Sequence, residues 1–392
     1  MNGLPSVATD LYERSFSELQ DALLNRACER VGYSNYGADD YLPGLRTLLA
    51  SLDRNQRFTQ IGKFATFEYL VNCLVGRLYS QKGFDQEPQS IDYDITQGPL
   101  MIIGLPRTGS TALHRLLAVD PQFQTLPYWV GTFPMKRPPP QEWASHPLFQ
   151  LLAQQLQRQN EACPALSLGH HMTADGIDED RLLLMQSFRD LSYPVGHSAP
   201  EYTDWLFAED MQSTYERFQL NLKLIGSNER QKTWLLKNPT HIAVEKLPAL
   251  FPKVMMIQMH RDPVDVIASS SSLAFSSRLF LTHPEIDPHR TGAEMLDVMA
   301  RMIDRLCAAR RVWDGRFYDV RFRDFVRDPI GVVRGIYRRF DLDFSGETEQ
   351  TMRKTLQSGE ATSKHVYALA DYGLSRDDVE NRFRDYLNRY MS

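Results

Sequence analysis

Apolar residues return along this chain with two different periods, and the switch between them divides it. Over the first quarter the spacing is helical. Leu11, Phe16, Leu19, Ala22, Leu23 and Cys28 recur on one face behind Asp10, a good capping residue. Phe64, Phe67, Val71, Leu74 and Leu78 do the same up to Lys82-Gly83, where the pattern predicts a break. From Pro99 onward short apolar runs take over: Leu100-Met101-Ile102-Ile103, Trp234-Leu235-Leu236, Val254-Met255-Met256-Ile257 and Phe317 to Phe322. A strand covered on both faces has no polar side to show, so such runs are expected of a parallel sheet. The stretches between them, such as Ser110 to Val119 and Glu294 to Val312, are helical in period. Strand alternating with helix predicts an α/β fold, a largely parallel sheet flanked by helices on both faces. The division falls between a helical N-terminal region, 1–97, and an α/β domain, 98–392. Within the latter, residues 121–200 are rich in Pro, His and aromatics and predict long loops with short helices, the larger part of an acceptor-side insert over about 121–232.

Composition narrows the function classes. The 392 residues are 42% hydrophobic and 24% charged, an ordinary globular balance, and the net charge is −5. Nothing in that balance calls for nucleic acid or an anionic membrane, and a polyanionic ligand would need a local cluster of cations. Cys28, Cys73, Cys163 and Cys307 lie far apart with no CxxC pair, which argues against a disulfide framework or a zinc site and fits a reducing cytoplasm. Residues 1–10 lack a basic stretch followed by an apolar one, and the densest apolar run, Pro99 to Pro106, is far too short to span a bilayer. The expectation is an untargeted cytoplasmic protein with no membrane span.

Candidate chemistry begins where the first apolar run ends. Gly104-Leu105-Pro106-Arg107-Thr108-Gly109-Ser110-Thr111 joins a predicted strand to a predicted helix. Its backbone N–H groups and the positive helix end can wrap a phosphate, and the two glycines allow close approach. The spacing fits a P-loop, but Ser110 stands where GxxxxGK[ST] has its lysine, and the cation is Arg107, inside the loop. A nucleotide triphosphatase also needs a strand-end carboxylate to help hold magnesium. The run ending at Met259 offers His260-Arg261 instead. Two departures together argue against ATP or GTP hydrolysis. After Arg261 come Asp262, a good N-cap, Pro263 at the first helical position, and Ser269, eight residues beyond the arginine. An arginine fork with a serine hydroxyl suits a terminal phosphate. Taken alone, the same residues also fit an Arg–Asp pair that locks a turn, with serines on a solvated face.

Together, the glycine loop, Arg261 with Ser269, and Val320-Arg321-Phe322-Arg323-Asp324-Phe325-Val326-Arg327-Asp328-Pro329 resemble the sulfotransferase family. The likeness is to its broad bacterial branch, whose loop reads GLPR[ST]G[ST]T, and runs from about Pro99 to Leu374. It implies a P-loop NTPase-like sulfotransferase fold with 3′-phosphoadenosine 5′-phosphosulfate (PAPS) as donor, adenosine 3′,5′-bisphosphate as product, and no metal. It further implies that Arg107, Thr108, Gly109, Ser110 and Thr111 hold the 5′-phosphosulfate. Arg261 and Ser269 would hold the 3′-phosphate, and Lys364, in Ser363-Lys364-His365-Val366-Tyr367, would be a lid cation over it. Charge supports the implication: the donor carries roughly four negative charges, two at each end, and needs two separated cationic clamps.

Lys237, at the end of the run Trp234-Leu235-Leu236, matches the family's strand-end lysine near the bridging oxygen. With Arg107 it would face the charge that develops on the leaving phosphate. The base is less legible. Many family members carry a histidine two positions after that lysine, where this chain has Pro239, and others a glutamate soon after the first helix, where Val130 stands. Histidines remain, because imidazole titrates near working pH. His170 is the first choice, in the stretch that runs to Asp180, then His241, with His114 also near the clamps; Asp178 and Glu179 are expected to cap the following helix. Tyr128, Trp129, Phe133, Trp143, Phe188, Tyr193, Tyr202, Trp205 and Phe207 suit either a core or a pocket for a hydrophobic or aromatic acceptor. The expected function is in-line sulfuryl transfer from PAPS to a hydroxyl or amine of a small molecule. A P-loop phosphotransferase with an unusual loop, or a degenerate protein that only binds nucleotide, stay open as alternatives, and a homodimer is compatible with the sequence.

Overall fold

The computed structural model describes residues 11–55, 57–162, 172–282, 286–358 and 367–391. In chain order the principal elements are α1 (Gln20–Val31), α2 (Leu42–Asn55), α3 (Gln60–Gln86), β1 (Leu100–Gly104), α4 (Ser110–Leu117), β2 (Phe123–Gln124), α5 (Pro147–Ala162), α6 (Gln212–Gly226), β3 (Thr233–Lys237), β4 (Met255–His260), α7 (Pro263–Leu281), α8 (Pro288–Trp313), β5 (Phe317–Arg321), α9 (Pro329–Phe340), α10 (Gly346–Ser358) and α11 (Arg376–Arg382). The strands form one sheet in the order β2-β3-β1-β4-β5 with every neighbouring pair parallel.

The four apolar runs are β1, β3, β4 and β5; the reason the first three read as unbroken is visible in the packing, whereas β5, at the sheet edge, buries Phe317 and Val320 and leaves Asp319 exposed. Met101 and Ile103 of β1 point into one core with Leu236 and Met256, while Leu100 and Ile102 point into a second with Leu235, Ile257 and Val320. Helices cover both faces. The first core also takes in Leu23, Leu48, Leu70 and Leu74, so the N-terminal helices share a hydrophobic core with the sheet. β2, two residues long, has too short a pattern to be read from sequence.

Two sequence expectations need correction. α3 does not break at Lys82-Gly83 but runs on to Gln86. A Cβ at Gly83 would lie 2.5 Å from Leu224 Cδ2, so the glycine serves a close approach of α3 to α6, at a helix cost of about 1 kcal/mol. The first helix is interrupted around Arg14 to Ser17, because Asp53 captures the amides of Phe16 at 2.6 Å and Ser17 at 3.0 Å. Such side-chain capture competes with the helical ladder.

Register brings the chemistry to one edge. Ile102 of β1 is opposite Lys237 of β3, Gly104 is opposite Met259 of β4, and His260 is opposite Arg321 of β5. The carboxyl ends of these strands therefore open together, where parallel α/β sheets bind ligands.

Candidate active site

The loop after β1 is shaped by its glycines. Gly104 has φ +122° and a Cβ there would lie 2.7 Å from the Met259 carbonyl oxygen; Gly109 has φ +86°, and its Cβ would meet the Phe322 ring at 2.9 Å. Only glycine fits both places. Gly109 is also the N-cap of α4, so the loop runs straight into the positive end of a helix. Thr108, fully buried, donates from its hydroxyl to the Leu105 carbonyl at 2.8 Å and closes the loop from inside. Ser110 is buried at the first position of α4 and Thr111 half-buried beside it. Arg107 has φ +62°, a strained conformation for a residue with a side chain, worth roughly 1–3 kcal/mol and found mostly where function holds it.

The second anion element stands directly beside the first. Asp262 caps α7 by accepting from Val264 N at 2.9 Å with Pro263 in the first turn, as expected. Arg261, at the β4–α7 junction, donates from Nη1 to the Arg107 carbonyl at 2.9 Å and contacts Asp265 at 3.3 Å. Its guanidinium lies 4.6 Å over the Phe322 ring. Ser269, two turns into α7, accepts from Arg107 Nε at 3.1 Å. The loop and the Arg261–Ser269 element are thus knit by Arg107, main chain to one and side chain to the other.

Lys237 ends β3 with only 3% of its side chain exposed, and its ammonium is paired with the carboxylate of Glu179. A buried lysine needs such a partner. Glu179 and its neighbour Asp178 do not cap the helix Arg181–Met185, contrary to expectation; the capping position is Asp180, which makes no side-chain cap bond. The reason is that the segment is held elsewhere. Asp178 N donates to the Leu126 carbonyl at 3.0 Å, Asp180 N donates to the Lys237 carbonyl at 3.3 Å, and Glu179 reaches Arg181 Nε at 3.0 Å as well as Lys237. Burial alone would make Arg181 easier to deprotonate, but Glu179 and Asp178 outweigh it and keep the guanidinium charged. Glu179, expected as a cap, is instead the partner of Lys237. Its sequence context, Asp178-Glu179-Asp180-Arg181 directly before the apolar Leu182-Leu183-Leu184, fits a cap and a buried ion pair equally well.

The histidines separate by environment. His241 is buried, with Nδ1 2.9 Å from the Tyr215 hydroxyl and Nε2 3.2 Å from Asp180 Oδ1, a charge contact off the line of a good hydrogen bond. Both of its nitrogens face protein groups. His114, on α4, is also buried, and burial together with the nearby Lys237 charge pushes its pKa down to about 3. Its Nε2 has no hydrogen-bond partner among the described residues. His170 and Lys364 lie outside the described residues. The first loop, Arg261 and Ser269 come together in direct contact, where two separated clamps were expected; Lys237 ends the neighbouring strand opposite Ile102, and His241 lies in the loop just after it. Among the aromatics, Trp129, Phe188, Tyr193 and Tyr202 are core residues, with Tyr193 and Tyr202 donating to the carbonyls of Met185 and Phe188, each at 2.9 Å. Among the described residues no group of His, Cys, Asp and Glu could hold a metal ion, and no helix is long and apolar enough to cross a membrane.

Known proteins resemble this chain in sequence and in fold. A profile described as the sulfotransferase family matches residues 99–346. The omega-hydroxy-beta-dihydromenaquinone-9 sulfotransferase Stf3 of Mycobacterium tuberculosis is 26% identical over 290 residues, 71% of this chain and 70% of its own length. Stf3 of Mycobacterium bovis matches to the same extent. Among solved structures, sulfotransferase STF1 from Mycobacterium tuberculosis aligns with a TM-score of 0.86 at 35% identity, covering 95% of this chain and 100% of that one. Sulfotransferase STF9 from Mycobacterium avium aligns with a TM-score of 0.86 at 29% identity over 94% and 96% of the two chains. The likeness to STF1 and STF9 extends through the N-terminal helices as well as the sheet.

Proposed function

The chain belongs to the sulfotransferase family, and from that premise we propose that it transfers a sulfuryl group from PAPS to a hydroxyl or amine of a small-molecule acceptor. One observation carries the reading: at the carboxyl ends of adjacent strands, an anion loop, an Arg–Ser pair and a buried lysine converge. A nucleotide with anionic groups at both the 5′ and 3′ positions fits this set. Arg107, Thr108, Gly109, Ser110 and Thr111 would hold the 5′ end on a loop whose course needs glycine at 104 and 109, where a Cβ would meet Met259 or Phe322. Arg261 and Ser269 would hold the 3′-phosphate, with Lys364 as a further cation there.

When bound, PAPS supplies a sulfuryl group activated by its phosphate leaving group. Glu179 is the base we favour. It would take the proton of the acceptor O–H or N–H, with Arg181 holding the carboxylate in place. Lys237 would turn from Glu179 toward the 5′ end of the donor, and with Arg107 would balance the charge that develops there. Preorganised cations at such a point are typically worth about 10²–10³ in rate. His241 fits an orienting role, because its contact to Asp180 ties the loop after Lys237 to the segment that carries Glu179. His170 is the competing base, and replacing it with alanine decides between the two: loss of turnover comparable to that of a Glu179 variant would favour the histidine.

Adenosine 3′,5′-bisphosphate tests the donor assignment. At about 100 times its Kd, binding to the native state alone adds about 2.7 kcal/mol of stability, a readily measured rise in Tm. No rise, with ATP raising Tm instead, rejects the reading in favour of a phosphotransferase. Bisphosphate binding without turnover across phenols, alcohols, amines and an ω-hydroxylated quinone of the kind named for the Stf3 relatives would favour a degenerate binding protein.

A further inference from the structure

The C-terminal turn beyond α11 lies outside the segment matched to the family, yet it packs against the junction that carries Arg261. Tyr386 and Tyr390 are buried there. The Tyr386 hydroxyl is 2.9 Å from Nδ1 of His260, the residue just before Arg261. His260 Nε2 is 2.7 Å from Asp319 Oδ1 on β5. The Tyr390 ring stacks on the His260 ring at 5.0 Å and 19°, and the Arg310 guanidinium lies 4.8 Å over the other side of the cluster at Tyr390. Arg310 also binds Asp319 at 3.1 Å and Gln258 at 3.0 Å.

Hydrogen counting gives the cluster a direction. Burial pushes the His260 pKa down, only partly offset by Asp319, so the ring is neutral. Burial would raise the Asp319 carboxyl, but bonds from His260 and Arg310 outweigh it and hold the group well below the usual carboxylate range. Asp319 is therefore an acceptor, His260 donates to it from Nε2, and Nδ1 is left to accept the Tyr386 O–H. Each proton then has one place to go. The bonds form a series from Asp319 through His260 to Tyr386, and it holds the His260 ring directly before Arg261.

We infer that Tyr386 is a positioning residue for the 3′-phosphate: by holding the His260 ring it fixes the end of β4, so that the guanidinium of the next residue, Arg261, is aimed before the nucleotide arrives. This rests on the proposed PAPS site. A residue that served only to fill the core would weaken every ligand alike, whereas a positioning residue acts on the 3′-phosphate alone.

The test compares adenosine 3′,5′-bisphosphate with adenosine 5′-monophosphate by titration calorimetry on the full chain. Tyr386→Phe removes one oxygen and keeps the ring. It is expected to weaken the bisphosphate by roughly 3–10-fold, the worth of one hydrogen bond, and to leave the monophosphate within about twofold. Equal weakening of both ligands, or of neither, overturns the inference. Asp319→Asn, at the far end of the series, should show the same selectivity and serves where Tyr386→Phe folds poorly. Arg261→Ala separates this from the site assignment: if it fails to discriminate the two ligands, the 3′-phosphate site is wrong. If it discriminates and both other variants do not, the site stands and the C-terminal role falls.

Discussion

Glu179→Gln isolates the chemical step from binding. The amide keeps the size of the side chain and one oxygen facing Lys237, but it cannot take a proton from an acceptor. Removing one member of a buried ion pair typically costs about 3–5 kcal/mol. Here the acid itself is 17% exposed and the amide oxygen still accepts from Lys237, so the loss should be nearer that of a charge-assisted hydrogen bond, about 1.5–3 kcal/mol. Tm should fall by a few degrees. Donor affinity should move the other way. Two unit charges 4 Å apart attract by about 4 kcal/mol at an effective dielectric of 20, mostly offset by desolvation. Glu179 therefore competes with any phosphate for Lys237, and its neutralisation should leave the bisphosphate Kd unchanged or lower. Turnover should fall by about 10²–10⁴, the usual worth of a general base, with KM for PAPS no higher than before. Glu179→Asp should recover part of it. The assay is initial-rate transfer of labelled sulfate, with calorimetry for the bisphosphate. A kcat within about threefold of the parent, or a loss of bisphosphate binding parallel to the loss of rate, would refute the assignment.

Three further outcomes follow from the same geometry. Gly104→Ala should abolish the bisphosphate-induced rise in Tm, because a Cβ 2.7 Å from the Met259 carbonyl oxygen must push β1 and β4 apart; an unchanged rise would show that the loop does not bind the nucleotide. His241→Gln should lower kcat while leaving the bisphosphate Kd within about twofold, since it loosens the tie between Lys237 and Glu179 without touching either clamp, and calorimetry with initial rates reads both. His114 and His197 are driven by burial to pKa values of about 3 and about 4, while an unfolded histidine protonates near pH 6.5. The unfolded chain thus binds more protons below that value, so Tm should be highest above about pH 6.5 and fall toward pH 4, less steeply in His114→Gln.

The sheet was legible because burial on both faces leaves no other reading for runs such as Leu100 to Ile103. The loop was legible because Gly104 and Gly109 answer to local backbone demands, and local demands are written in local sequence. Glu179 was not, since its partner Lys237 is 58 residues away and nothing in a run of acids before a helix distinguishes a cap from an ion pair. The same holds for Tyr386, whose hydroxyl bonds a residue 126 positions earlier. Gly83 failed in the opposite direction: its effect on helix propensity was visible, while the Leu224 side chain that requires it was not.

The expectation that a chain of net charge −5 needs local cations for a polyanion finds an answer in how those cations are kept. Lys237 is paired with Glu179, Arg261 with Asp265, and Arg107 donates to Ser269. Each cation is already matched, so the donor site is not a bare positive pocket but a set of pairs that a phosphate can exchange. Exchange has two consequences. Affinity comes from the difference between a carboxylate and a phosphate as partner, which favours ligands that replace several pairs at once and so favours a nucleotide charged at both ends over inorganic phosphate. On the proposed assignment exchange would also couple binding to catalysis, because the pair that the 5′ end would open is the one that holds Glu179. The carboxylate would then be relieved of Lys237 only with the donor in place, so that an acceptor arriving first would meet a base still engaged in its ion pair.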